Sequence, residues 1–185
     1  MQWRDSTSRY GLVSIVLHWS IVLGIIAQYI LAEAGEGEGK AAESGFDAMQ
    51  WHSSLGVTLL ALALIRLIWR LPQATPTPPS TMRGYEIVAA RAVHVALYAL
   101  LFSIPLSGWA LATIEDELLP YLGLFNLPAL RVPGPLWSED RLEALHETLF
   151  NILVALAALH LLAALKHHFF DRDTVLRRML PGRSP

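Results

Sequence analysis

The chain has no cysteine among its 185 residues. That excludes disulfides, thiolate metal ligands and iron–sulfur clusters, so any bound metal must rest on histidine. Charge is scarce too, at 16% of residues against 54% hydrophobic, and the mean hydropathy of +0.41 exceeds that of an ordinary soluble domain. Charge is absent altogether from four stretches, 11–32, 48–65, 92–114 and 148–165. Each is close to the roughly 20 residues that cross a hydrocarbon core. The expected fold is all-α: an integral membrane four-helix bundle of up-down topology, one domain over 1–185, with spans of about 11–32, 49–70, 91–114 and 144–168. The first stretch carries His18 and Trp19 in its interior and is followed by no small-residue cleavage site. It reads as a span rather than a signal peptide, with Met1 to Tyr10 a short polar tail.

The net charge of −2 conceals a segregation. Eleven of the fourteen Lys and Arg precede span one, follow span four or lie between spans two and three: Arg4, Arg9, Arg66, Arg70, Arg83, Arg91, Lys166, Arg172, Arg177, Arg178 and Arg183. Only Lys40, Arg131 and Arg141 fall in the other two loops. The positive-inside rule then puts both termini and the middle loop in the cytoplasm. The two opposite loops are acidic, residues 33–47 and 115–143 each carrying a net −4. The first, AGEGEGKAAESG, is an exposed glycine-rich run. Trp69 and Arg70 are interfacial anchors at the end of span two, and PQATPTPPS is a semi-extended linker. Pro105 is expected to kink span three. LLPYLGLFNLPALRVPGPLW is apolar, but its four prolines, at 120, 128, 133 and 135, rule out a fifth span. It reads as an interfacial segment across the outer mouth of the bundle. Ser138 is a candidate cap for span four, with Glu139 and Asp140 at its positive end.

Seven histidines lie in or beside these spans, and an ionisable residue at membrane depth is a functional candidate by default. His52 opens span two and His146 span four, at the outer face. His18 and His160 lie in the cytoplasmic halves of spans one and four. His146 and His160 are fourteen residues apart, which puts them on one helical face about 21 Å apart along the axis. One helix thus presents a ligand at each of two levels. A single intramembrane histidine often only hydrogen-bonds a neighbouring helix. Four at two matched depths, with no acid in any of the charge-free stretches, fit bis-imidazole haem, in which both axial positions of the iron are filled for electron transfer. Zinc fits less well, with two imidazoles per level and no core carboxylate. Each ligating imidazole needs its second nitrogen hydrogen-bonded, and for His18 the Ser14 hydroxyl or carbonyl is a candidate acceptor. His94, shallower in span three, competes with His18 or His160 for the inner position, or lies near a quinone. His167 and His168 anchor the interface or deliver protons to that quinone. Arg66, Arg70 and Arg91 determine topology, and some are candidates to pair with haem propionates.

The order of Leu17-His18-Trp19, Trp51-His52-Ser53-Ser54-Leu55-Gly56, Pro76-Thr77-Pro78-Pro79 and Ala92-Val93-His94-Val95-Ala96-Leu97-Tyr98 resembles the small bacterial di-haem cytochrome b561 proteins. The likeness continues through His146-Glu147-Thr148-Leu149-Phe150-Asn151, Leu159-His160, Lys166-His167-His168-Phe169-Phe170 and Arg177-Arg178-Met179. The resemblance implies two haem b groups, with His18 and His160 ligating the cytoplasmic-side iron and His52 and His146 the periplasmic-side iron. It also implies a ubiquinone site near the former. Proteins of this kind include superoxide oxidases, which pass electrons from periplasmic superoxide to quinone, and related four-helix cytochromes serve as subunits of hydrogenases and formate dehydrogenases. The expected partners are membrane lipid, quinone, and superoxide or a periplasmic redox protein, with no nucleic acid. The acidic outer loops depart from the positive surface that would steer superoxide, although Lys40, Arg131 and Arg141 could form a local funnel. A cytochrome subunit serving a dehydrogenase, or a non-redox haem- or metal-binding membrane protein, are the alternatives.

Overall fold

The computed structural model describes residues 2–36, 47–114, 118–131 and 138–182. Lys40 and most of the glycine-rich acidic run, as well as Pro133, Pro135 and Arg183, lie outside them. Four long helices follow one another, α1 (Leu12–Glu36), α2 (Ala48–Arg70), α3 (Gly84–Ala112) and α4 (Glu139–Phe169), and all four are long and apolar enough to cross a membrane. In hydrocarbon every backbone amide must be satisfied within the segment, which makes a helix the form open to such a stretch. The chain is therefore a multi-pass membrane protein, a four-helix bundle.

The packing follows membrane rules. Large apolar side chains such as Leu23, Ile30, Ile68, Val95 and Leu162 are more than half exposed, while α2 buries Ala48, Ser54, Gly56, Leu59 and Ala63. Small residues inside let backbones approach, and large ones outside meet lipid. At Gly24 an added Cβ would stand 2.5 Å from Leu59 Cδ2, so a side chain there would push the α2 leucine away.

Two of the helices start earlier than the charge-free stretches suggested. Helix α3 begins at Gly84 rather than near 91 because the Arg83 N–H donates to Glu86 Oε2 at 2.8 Å, a capping-box arrangement. Helix α4 begins at Glu139 rather than 144, its first turn closing on the Ser138 carbonyl, with Glu139 and Asp140 at its positive end.

The chain divides into two compact units. The first comprises Met1–Ser20, Leu64–Leu100 and Asn151–Pro185, and the second Ile21–Ala63 and Leu101–Phe150. In the first, the N-terminal segment is more than a polar tail. Asp5 is buried and accepts from the Gly11 N–H at 2.6 Å and the Ser14 hydroxyl at 2.9 Å. Gly11 is required there, since a Cβ would stand 2.4 Å from the Trp3 carbonyl oxygen. The proline-rich linker is pinned as well. The Thr77 N–H donates to the Thr7 carbonyl at 2.9 Å, and the Thr77 carbonyl accepts from Arg178 at 2.6 Å.

In the second unit the segment expected to lie at the interface contains a β-hairpin, β1 (Leu118–Tyr121) paired antiparallel with β2 (Phe125–Pro128). Pro120 and Pro128, which excluded a helix, are tolerated because each strand of a two-stranded ribbon has a free edge. Leu122 (φ 51°) and Gly123 (φ 68°) make the turn, of the kind whose two positive φ values match strand twist. The fully buried Ser54 clamps it, accepting from the Leu122 N–H at 3.1 Å and donating to the Pro120 carbonyl at 3.4 Å. Trp109 of α3 holds the other strand through the Pro128 carbonyl at 3.1 Å.

Candidate functional site

In the second unit, α2 carries His52 and α4 carries His146, their ring centroids 6.2 Å apart and their planes at 69°. His52 Nδ1 lies 3.2 Å from the Gln28 carbonyl oxygen. A carbonyl only accepts, so Nδ1 carries the proton and Nε2 keeps its lone pair. His146 Nδ1 is placed the same way, 3.1 Å from the Ile104 carbonyl and 3.1 Å from Ser107 Oγ, whose own proton goes to Ile104 at 2.9 Å. Gly108 makes this approach possible. It stands one helical turn beyond Ile104, and a Cβ on it would meet His146 Cε1 at 2.9 Å and Nδ1 at 3.2 Å. Without a side chain, the Ile104 carbonyl is open to the ring.

The first unit brings together three imidazoles. His18 of α1 and His160 of α4 have centroids 6.3 Å apart with planes at 77°. His94 of α3 stands 5.2 Å from His160 at 69°. The expected acceptor for His18 is otherwise engaged: the Ser14 hydroxyl donates to Asp5, and its carbonyl accepts from Arg66 at 2.9 Å. Among the described residues no hydrogen bond joins the His18 ring to Ser14. Arg66 also donates through Nε to the Tyr98 hydroxyl at 3.1 Å.

The spacing tests the fit to a metal cofactor. With a metal–imidazole bond of about 2.0 Å and a ring nitrogen about 1.2 Å from the ring centre, two axial imidazoles on one metal have centroids roughly 6.4 Å apart. The 6.3 Å of His18 with His160 and the 6.2 Å of His52 with His146 match this separation, and the 5.2 Å of His94 with His160 is too short. Haem, with two trans axial positions, suits such opposed pairs.

His167 and His168 differ from each other. His167 is buried at 6% exposure, its Nδ1 held between Asp173 at 2.7 Å and Asp171 at 2.9 Å. Lys166 bridges Glu86 at 2.6 Å and Asp171 at 2.8 Å. Burial opposes the charge on Asp173, but the Val175 N–H and His167 outweigh it and hold that carboxyl below its ordinary range. Glu86, His167 and Asp171 lie close enough to offer a cation three ligand atoms, but the Lys166 ammonium already bridges the two carboxylates. Among the described residues His168 Nδ1 is buried without a hydrogen-bond partner, as is Trp69 Nε1, and the His168 ring stands edge-on to Phe169.

Four spanning helices bearing opposed imidazole pairs have the form of a membrane cytochrome of the b type. The comparisons agree. The prokaryotic cytochrome b561 family matches residues 9–182, and the chain belongs to that family. It is 33% identical to cytochrome b561 homolog 2 of Escherichia coli K12, covering 100% of this chain and 97% of the relative. Cytochrome b561 homolog 1 of the same organism is 30% identical, over 95% and 99%. A protein of Yersinia pestis named probable superoxide oxidase CybB is 30% identical, over 95% and 97%. The family binds haem b and works in electron transport.

Proposed function

We propose that this cytochrome holds two haem b groups, one between His18 and His160 and one between His52 and His146, and transfers electrons from a periplasmic one-electron donor, superoxide, to ubiquinone. It would act as a superoxide:quinone oxidoreductase, folded as one domain over 1–185. The observation that carries the reading is the pair of imidazole separations, 6.3 and 6.2 Å, on the spacing of two axial ligands. Bound haem b supplies reversible one-electron exchange at its iron. Gln28 and Ile104 hold the His52 and His146 rings with Nε2 free to ligate, and the apolar helix faces exclude water.

The basic bias of the first unit, which contains both chain ends, favours the cytoplasmic face of the inner membrane for it. The ubiquinone site belongs there too. A quinone presents two carbonyl acceptors, and this unit holds two buried nitrogens, Trp69 Nε1 and His168 Nδ1, without a hydrogen-bond partner among the described residues. His94, beside His160, belongs to the same unit. His167, engaged by two carboxylates, is suited to pass protons toward it. In balance, two superoxide anions each lose one electron to become dioxygen, and ubiquinone takes both electrons and two protons to become ubiquinol. The name of the Yersinia relative supports superoxide as donor.

A second reading is favoured by charge. The loops 33–47 and 115–143, each at net −4, suit a basic redox protein better than an anion. Rapid mixing of the purified, oxidised protein with superoxide, followed by addition of ubiquinone, separates the two. Fast haem reduction and quinone-dependent reoxidation support the oxidase. Haem that stays oxidised under superoxide but accepts electrons from a basic redox protein supports the subunit.

A further inference from the structure

The two units carry opposite charge. The first holds eleven Lys and Arg against four Asp and Glu, a net +7, and the second three against twelve, a net −9. Most of these charges lie near helix ends or in loops, where water and salt screen them. Arg66 is different. It follows directly on the charge-free stretch of α2, half-buried, and its guanidinium is fixed from two sides, by the Ser14 carbonyl at 2.9 Å and the Tyr98 hydroxyl at 3.1 Å. Both partners are neutral, and among the described residues no carboxylate pairs with it. Ser14 lies one turn before His18 on α1 and Tyr98 one turn beyond His94 on α3, so the guanidinium is tethered beside the turns that carry two of the three imidazoles. A cation at membrane depth is costly and is kept for a function.

Among the described residues of the second unit, Arg131 and Arg141 lie outside the charge-free stretches. There the His52 and His146 rings face backbone carbonyl oxygens, the negative ends of peptide dipoles. We infer that Arg66 is an electrostatic lever that makes the first unit the electron-accepting end. Its fixed positive charge favours the reduced state of a redox centre held by His18 and His160, over one held by His52 and His146. The inference rests on the proposed ligation and adds a direction to it. The physical reason is Coulombic: an added electron is stabilised by an unscreened cation, and the peptide carbonyls on the other pair strengthen imidazole donation to the oxidised metal. Tyr98 and Ser14 position the guanidinium and act through it.

Potentiometric titration of the purified membrane protein, read by absorbance and by low-temperature spin resonance, tests this without turnover. The wild type is expected to resolve two midpoint potentials. Arg66→Gln should lower the higher one, cutting the ratio of reduced to oxidised centre at fixed potential by on the order of tenfold, and leave the lower one in place. Arg66→Lys, which keeps the charge, should restore most of the shift. Tyr98→Phe, which removes one tether and no charge, should alter it little. If Arg66→Gln binds the wild-type amount of haem with both potentials unmoved, or moves both equally, the lever is wrong while the ligation stands. If His18→Ala and His160→Ala remove the lower-potential centre and spare the higher, the lever is wrong; if they leave both centres intact, the ligation itself fails. Should Arg66→Gln not fold, Arg66→Met and Tyr98→Phe,Arg66→Lys give the same comparison.

Discussion

Each histidine of the second unit is held by an atom that has no side-chain identity. The acceptors are the carbonyls of Gln28 and Ile104, and any residue type supplies a carbonyl. Depth and the interval from His146 to His160 single out four histidines in the sequence, whereas the carbonyls that meet the His52 and His146 rings are not legible there. The Ser14 expectation failed for a related reason: Asp5 and Arg66, from outside α1, take up its hydroxyl and carbonyl. Gly108 reads in the sequence as one more small residue, and only the ring packed on it reveals its part. Gly108→Ala puts a methyl 2.9 Å from His146 Cε1, an overpacking of about 1–3 kcal/mol. The expected outcome is weakened or altered haem at the His52 and His146 pair, with the His18 and His160 pair unchanged, read in the low-spin signals of each centre. An unchanged spectrum with full haem content would show that the ring has room to move and that Gly108 does not position it.

At the scale of elements, the four spans were legible because charge is missing from them and hydrocarbon permits little else. Their true starts were not, since a helix can begin in polar sequence once capped, as α3 does through Glu86. The hairpin was not legible, because the prolines that argue against a helix argue against a central strand as well. Only the partner strand and the Ser54 clamp decide for a ribbon. Its turn depends on Leu122 and Gly123 at positive φ, and a β-branched side chain at the second position costs roughly 1–2 kcal/mol. Gly123→Val is therefore expected to lower the thermal midpoint of the detergent-solubilised protein, and Leu122→Gly to leave it equal or raise it. Equal midpoints for Gly123→Val and the wild type would mean the hairpin contributes nothing to the stability of the fold.

On the scale of the whole molecule, the linker between α2 and α3 and the segment after α4 are joined around Asp173, which accepts from the Thr81 hydroxyl at 3.1 Å and faces His167 at 2.7 Å. Its carboxyl is held below the ordinary range in the folded protein. Its stabilising contribution is thus fully present above the unfolded value of about 3.9 and disappears as pH falls through the lower folded value. Thermal melts of wild type and Asp173→Asn should differ at neutral pH and converge on acidification below that range. A difference that persists unchanged to the lowest pH would remove the carboxylate charge as its cause.

The charge pattern that predicts topology was present in the sequence, and it also divides the two units, which were not legible there. Nor did the sequence carry the ring separations among His18, His94 and His160 on which the proposed pairing rests. The number of haems and their ligands are the centre of the account. The direct measurement is haem content per chain, by pyridine haemochrome against quantitative amino-acid analysis, in the wild type and in single alanine variants of the five intramembrane histidines. Two haem b per wild-type chain are predicted, falling to one in each of His18→Ala, His160→Ala, His52→Ala and His146→Ala, and staying at two in His94→Ala. A wild type with one haem or none, or a His94→Ala protein that loses a haem while His18→Ala keeps both, would contradict it.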